Sequence, residues 1–240
     1  MNQFEEACRP VIFEYKHAEF SYWGKGSSFL VANSNSYFWI TASHVLSNSR
    51  GSVQSLRIFP SDQSRVSLPF NEKYTIKRGL TDDEDHKDLF VLRIDLKEFD
   101  SFGDTPLVAQ GIDRGMLPAE DLTRGDELWV IGYPSESNLI DYDSREIKNT
   151  RSVIRGVYRG RSISDHCHEL GIESSIKLDT YDGLSGSPVF HMKPGTDRGQ
   201  VVFYPLLVGM LLRGTASSAI AHFVSSNVIV SLIGLAEKNA

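Results

Sequence analysis

Clusters of Gly, Pro, Asn, Asp and Ser recur along this chain at the spacing of turns, and the runs between them are short and rich in Val, Ile, Phe, Tyr and Trp. Such runs read as strands, because branched and aromatic side chains fit a pleated, half-buried surface. They fall at residues 11–15, 28–32, 37–42, 56–59, 89–94, 127–131, 152–158, 174–178, 188–191 and 201–212. The C-terminal segment differs. Ser225 or Ser226 can cap a helix in which Val228, Leu232 and Leu235 share one face. The predicted class is therefore all-β with a short C-terminal helix.

Residues 102–124 are rich in Gly, Asp and Pro and split the strands into two halves of similar size. The division falls near Pro118, giving an N-terminal half of residues 1–117 and a C-terminal half of residues 118–240. Two antiparallel barrels and two sandwiches both fit this pattern.

Bulk properties narrow the function. The chain has 240 residues, 40% hydrophobic and 23% charged, which is enough to bury a sizeable core. A net charge of -6 argues against nucleic acid or an anionic membrane as the main partner, since both are bound by clustered Lys and Arg. The most basic stretch, residues 145–161, reads as a solvated strand pair with alternating charges. The longest apolar stretch, residues 201–212, is shorter than the roughly 20 residues that span a bilayer and reads as buried strands. The first ten residues hold Glu5 and Glu6 and no apolar core, unlike a secretory signal, and Cys8 and Cys167 alone make no disulfide framework. A cytoplasmic location is expected.

Three segments carry chemistry. Gly183-Leu184-Ser185-Gly186-Ser187-Pro188 precedes an apolar strand. Glycines on both sides permit a tight turn that presents the Ser185 hydroxyl, with Gly183 exposing its N–H and Gly186 letting a substrate approach. Thr41-Ala42-Ser43-His44-Val45 ends an aromatic strand, so His44 can project into a cleft and accept a proton. Asp88 stands directly before Leu89-Phe90-Val91-Leu92-Arg93-Ile94, where a carboxylate can orient an imidazole; Asp85 is the reserve candidate. The remaining histidines, His17, His86, His166, His168, His191 and His222, read as surface or hydrogen-bonded side chains. Asp165-His166-Cys167-His168-Glu169 holds metal-ligand types packed too closely for the usual zinc spacing and reads as a polar surface loop.

In the order His44, Asp88, Ser185, these segments resemble the chymotrypsin-like (trypsin-like) serine peptidase family, including its Deg-type and glutamyl-endopeptidase branches. The order disfavours subtilisins and α/β-hydrolases, which place the aspartate or the serine first. Gly24-Lys25-Gly26-Ser27-Ser28-Phe29-Leu30-Val31 is similar to the strand before the histidine, and Gly125-Asp126-Glu127-Leu128-Trp129-Val130-Ile131-Gly132-Tyr133-Pro134 to the opening of the second barrel. The resemblance implies two six-stranded Greek-key barrels with the active site in the cleft between them. It further implies a serine endopeptidase in which the N–H groups of Gly183 and Ser185 form the oxyanion hole, with no metal or cofactor. Leu212-Arg213-Gly214 would be the strand edge that takes extended substrate.

The resemblance also frames specificity and regulation. Asp179, six residues before Ser185, either sits at the base of a pocket for Arg or Lys or is a turn residue. Leu184 replaces the acid that pairs with a newly cut N-terminus in many members, so no such activation is expected. Leu212 replaces a serine that supports the triad aspartate, and Ser43 is a substitute donor. A restricted processing or regulatory role, with a protein or peptide substrate and a regulatory protein partner, fits an intracellular setting. The alternative is an inactive peptidase-fold module that binds peptides or partner proteins.

Overall fold

The computed structural model describes residues 3–15, 21–34, 36–47, 52–61, 64, 66–76, 85–99, 107–141, 143–144, 146–173 and 180–238, without the side chains of residues 139, 140 and 146. The expected strand at 174–178 and Asp179 lie outside the described residues.

Strands β1 (Cys8–Glu14), β2 (Tyr22–Ala32), β3 (Tyr37–Ala42), β4 (Leu56–Arg57), β5 (Phe70–Thr75), β6 (Leu89–Ile94) and β7 (Gln110–Gly111) form a seven-stranded sheet in the order β4-β1-β2-β3-β6-β5. Its pairings are antiparallel except that β7 lies parallel to β2. The second half supplies β8 (Glu127–Gly132), β9 (Asn138–Asp141), β10 (Glu146–Asn149), β11 (Ser152–Arg161), β12 (Cys167–Ile172), β13 (Pro188–Asp197), β14 (Gln200–Thr215) and β15 (Ile220–Ser225). Six of these close a barrel, β11-β12-β15-β14-β13-β8, while β9 and β10 make a separate hairpin. The expected two-barrel class is found: among the described residues one half closes a six-stranded ring and the other forms a seven-stranded sheet. Helices are short: α1 (Gln3–Glu6), α2 (Ser43–Ser47), α3 (Leu96–Phe99) and α4 (Ser226–Lys238).

Burial explains why these residues form these strands. β3 lies inside its sheet and every residue after Tyr37 is buried, so it reads as one apolar run. β11 instead alternates, with Ile154, Gly156, Tyr158 and Gly160 facing in and Arg155, Arg159 and Arg161 facing out, which accounts for the basic stretch. β10 and β11 do not pair with each other, however. β10 pairs with β9, and β11 with β8 and β12.

Residues 201–212 depart from the buried expectation. Leu207 to Leu212 are buried, but Val201 is 73% and Phe203 60% exposed. The β13–β14 ladder continues to Asp197 opposite Gln200, whereas β8 covers β13 only at Val189 to His191. Beyond that point the hairpin loses the neighbour that would bury it.

Two apolar clusters fill the interior. One gathers Phe13, Phe29, Phe38 and Trp39 of the first sheet. The other gathers Leu128, Val130, Tyr158, Leu170, Leu211 and Phe223 of the barrel. Helix α4 follows the barrel in sequence yet inserts Val228, Ile229, Leu232 and Ile233 into the first cluster, touching β5 and β6 as well as β14 and β15. Leu235 falls outside this face and is 57% exposed. Ser225 and Ser226 turn their hydroxyls away from the helix, Ser225 to the Glu120 carboxylate and Ser226 to the Leu117 carbonyl. These bonds tie α4 to the segment that joins the two halves.

Candidate active site

Antiparallel pairing of β3 with β6 sets the first part of the site. The ladder ends at Ala42 opposite Leu89, so the next residues outward, Ser43 and Asp88, face each other. The Ser43 N–H donates to the Asp88 carbonyl (3.3 Å). The chain then turns into α2, anchored by buried Val45 and Leu46, and His44 swings back over Asp88. The His44 main-chain N–H donates to Asp88 Oδ1 (2.9 Å) and its Nδ1 is hydrogen-bonded to Oδ2. One carboxylate therefore fixes both the backbone and the ring of the same histidine. The Asp88 side chain is 13% exposed and that of His44 32%, so the pair is sheltered while the imidazole reaches solvent. Ser43 reaches Asp88 through its main chain, so the support expected from its hydroxyl is supplied by the His44 amide.

The second part is the turn that carries Ser185. Leu184 N–H donates to the Tyr181 carbonyl (3.2 Å) and Ser187 N–H to the Leu184 carbonyl (2.9 Å), which winds the chain tightly around Ser185. Gly183 and Gly186 both have φ of 87°, a region open mainly to glycine. A Cβ on Gly186 would stand 2.0 Å from the Ser27 carbonyl oxygen and 2.4 Å from Thr41 Oγ1. The small residue thus serves close approach to β2 and β3, where the sequence reading assigns it to substrate approach. Among the described residues, the N–H groups of Gly183 and Ser185 have no hydrogen-bond acceptor. Two such donors side by side are what a developing oxyanion requires.

Ser27 joins the two parts. Its N–H donates to the Ser185 carbonyl (2.9 Å), its hydroxyl donates to the Gly183 carbonyl (2.7 Å) and accepts from Tyr133 N–H (2.8 Å), and its own carbonyl accepts from Thr41 Oγ1 (2.7 Å). Sequence inspection missed Ser27 and Thr41 as positioning residues. The signal was a small polar pair, Ser27-Ser28, directly before the apolar run Phe29-Leu30-Val31. Leu184 supports the turn from below, 1% exposed in the barrel core, where an ion-paired acid would be out of place.

Strand β14 completes the site. The β14–β15 register passes from Leu211 opposite Phe223 to Arg213 opposite His222, leaving Leu212 as a bulge. The Leu212 carbonyl accepts the Ser185 hydroxyl (2.8 Å), and Leu211 exchanges bonds with Gly186 N–H and the Ser187 carbonyl (both 2.8 Å). The Leu212 side chain is buried. Arg213 pairs with Asp85, so the reserve carboxylate is engaged there, and among the described residues Asp88 is the carboxylate that meets His44. Gly214 lies against the Tyr181 ring.

Of the segment expected as a polar loop, Asp165 and His166 form an exposed turn while Cys167 to Glu169 open strand β12. Cys167 and His168 are 1% exposed in β12, and the His168 ring stacks on Phe223 while Tyr158 Oη meets its Nδ1 (2.7 Å). His166 turns the other way, beside His86. Among the described residues, no group of three His, Cys, Asp or Glu side chains could hold a metal ion. Burial pushes the Cys8 and Cys167 thiols up to about 12. A broad concavity of ≈ 1300 Å³ between Gln110, Trp129, Arg155 and Phe203 lies elsewhere and includes none of His44, Asp88 and Ser185.

Fold and site together define a serine peptidase architecture. The sequence profile of the trypsin-like peptidase domain matches residues 26–196, and the chain belongs to that family as a trypsin-like serine endopeptidase. No curated protein sequence matches it. Among solved structures it is similar to the thermostable serine protease AL20 from an extremophilic microorganism, at 14% identity and TM-score 0.55 with 100% of both chains covered. A scabies mite inactivated protease paralogue, S-I1, matches at 15% identity and TM-score 0.58, covering 100% of this chain and 98% of its own. Human heparin binding protein matches at 11% identity and TM-score 0.59, covering 100% and 95%.

Proposed function

We propose that the chain hydrolyses peptide bonds of protein substrates through Ser185, His44 and Asp88 by way of an acyl-enzyme. The observation that carries this reading is the double grip of Asp88 on the His44 N–H and Nδ1, which leaves Nε2 as the free base. In attack, the Ser185 hydroxyl leaves the Leu212 carbonyl and gives its proton to His44 Nε2 as Oγ bonds to the substrate carbonyl carbon. The oxyanion is received by the N–H groups of Gly183 and Ser185. His44 then protonates the leaving amine, and water repeats the sequence to free the acid. Side chains and main-chain donors suffice for every step.

Finer features belong to the same proposal. Substrate lies along Leu212-Arg213-Gly214, and Asp179 gives a preference for Arg or Lys before the scissile bond. The activity is restricted, serves processing or regulation, and answers to a protein partner. Two free, buried thiols fit a cytoplasmic setting. Among the described residues no helix is long and apolar enough to cross a membrane.

A serine-directed fluorophosphonate probe tests the core of this reading. Labelling of the wild type, lost in both Ser185→Ala and His44→Ala, supports it. The second reading is a non-hydrolysing module, favoured by the resting bond from Ser185 to Leu212. Absence of wild-type labelling, with and without candidate partners, supports that reading instead.

A further inference from the structure

Arg213 follows Leu212, whose carbonyl holds the Ser185 hydroxyl. Its Nη2 reaches the carboxylate of Asp85, three residues ahead of Asp88, and Ser164 Oγ donates to the same carboxylate oxygen (3.2 Å). A turn of the first half, strand β14 and the β11–β12 connection therefore meet beside the nucleophile. Half-exposed ion pairs contribute little to stability, so this one is better explained by its place than by its strength.

The place is an open strand edge. β13 pairs with β14 only as far as Met210, and the Ser185 turn takes Leu211 and Leu212. Among the described residues, no strand pairs with Arg213 to Thr215 on that side. An extended peptide added here runs past Ser185 with one of its side chains beside Arg213. Asp85 already accepts from two donors and its side chain is 26% exposed, while that of Arg213 is 61% exposed. Among the described residues, the guanidinium spends only the Nη2 edge of its five N–H donors. The donor capacity left over is cationic and largely exposed, and Asp85 holds the group by Nη2.

We propose that Arg213, oriented by Asp85 and Ser164, selects substrates with an acidic side chain a few residues before the scissile bond. The inference rests on the peptidase reading above. Asp85 competes for the same cation, so it tempers the preference while it aims the group.

The test uses the best-cleaved sequence from a peptide library, made with Glu, Gln or Lys at each upstream position, on the full chain. At one position kcat/KM for Glu should exceed that for Gln by roughly threefold to tenfold, mostly through KM, and added salt should shrink the ratio. Arg213→Gln should level it, Arg213→Glu should favour Lys, and Asp85→Asn should enlarge it. Equal rates for Glu, Gln and Lys at every position, or a ratio indifferent to salt, would overturn the inference on wild-type protein alone. So would a ratio unchanged in Arg213→Gln that still labels with the fluorophosphonate. Absence of both labelling and cleavage in the wild type would overturn the peptidase reading and this inference with it.

Discussion

The Ser27 hydroxyl donates to the Gly183 carbonyl at 2.7 Å while the Tyr133 N–H donates to it at 2.8 Å, so one side chain of the first sheet holds two segments of the barrel. The Ser27 N–H adds a third tie, to the Ser185 carbonyl. Ser27→Ala should leave a buried N–H and a buried carbonyl unpaired, at a cost of about 1–3 kcal/mol each. Urea denaturation should show the loss. The fluorophosphonate labelling rate should fall as well, because the turn bearing Ser185 loses its orientation; unchanged labelling would mean that Ser27 is structural only.

Asp88→Asn should keep the His44 N–H bond through its carbonyl but present an N–H₂ group where Nδ1–H donates. The imidazole is then held in the wrong tautomer, and kcat should drop by about 10⁴-fold with the fold intact. Steady-state kinetics with a circular dichroism control checks this. A loss of tenfold or less would remove Asp88 from its proposed role.

His168 predicts an acid-sensitive barrel. Burial lowers its pKa below the usual 6.5, against the opposing pull of the Glu120 charge and hydrogen bond and alongside the Arg161 and His166 charges. The unfolded chain therefore takes up the proton first. Stability is whole above pH 6.5 and declines as the pH falls from there through the lowered folded value. Glu120, 3.6 Å from His168 Nε2, extends the trend below 4.5. Burial alone would raise its pKa, but the Ser225 hydroxyl, a bond from its own backbone N–H and His168 together more than offset that. Urea midpoints at about pH 7.5 and about pH 5.5 should differ less in His168→Phe than in wild type. Equal differences would place the acid sensitivity elsewhere.

Leu184 should behave as a core residue. Leu184→Ala should cost about 2–5 kcal/mol, and Leu184→Asp should cost more by burying a carboxylate. Chemical denaturation measures both. Trimming residues from the N-terminus should not raise the labelling rate of the wild type, since the turn is held by apolar packing rather than by an ion pair with a new terminus.

The proposed site was readable from local chemistry alone. A Gly-flanked serine, a histidine after a buried strand and an acid before one are each visible in a few residues, and their order along the chain identified the family. Strands β3 and β6 were legible to the residue because both are buried runs of apolar side chains. β5, with its alternating Glu72, Tyr74 and exposed neighbours, was not, nor was β12, whose His168 and Glu169 read as solvent-facing. A polar residue in a strand is buried or exposed according to partners that come from elsewhere, and His168 is buried because Tyr158, Phe223 and Glu120 surround it.

The sequence by itself determined the all-β class and the terminal helix and pointed to the three side chains proposed to react, because turn residues, strand propensity and side-chain chemistry act over a few positions. Only the tertiary structure decided that Asp88 rather than Asp85 meets His44, that Ser27 carries the Ser185 turn, that Gly186 is small for the sake of Ser27, and that among the described residues no strand covers the Arg213 edge. Each of these depends on strand register and on contacts between residues far apart in the chain. A register shift of one residue would break them all without changing a single local preference.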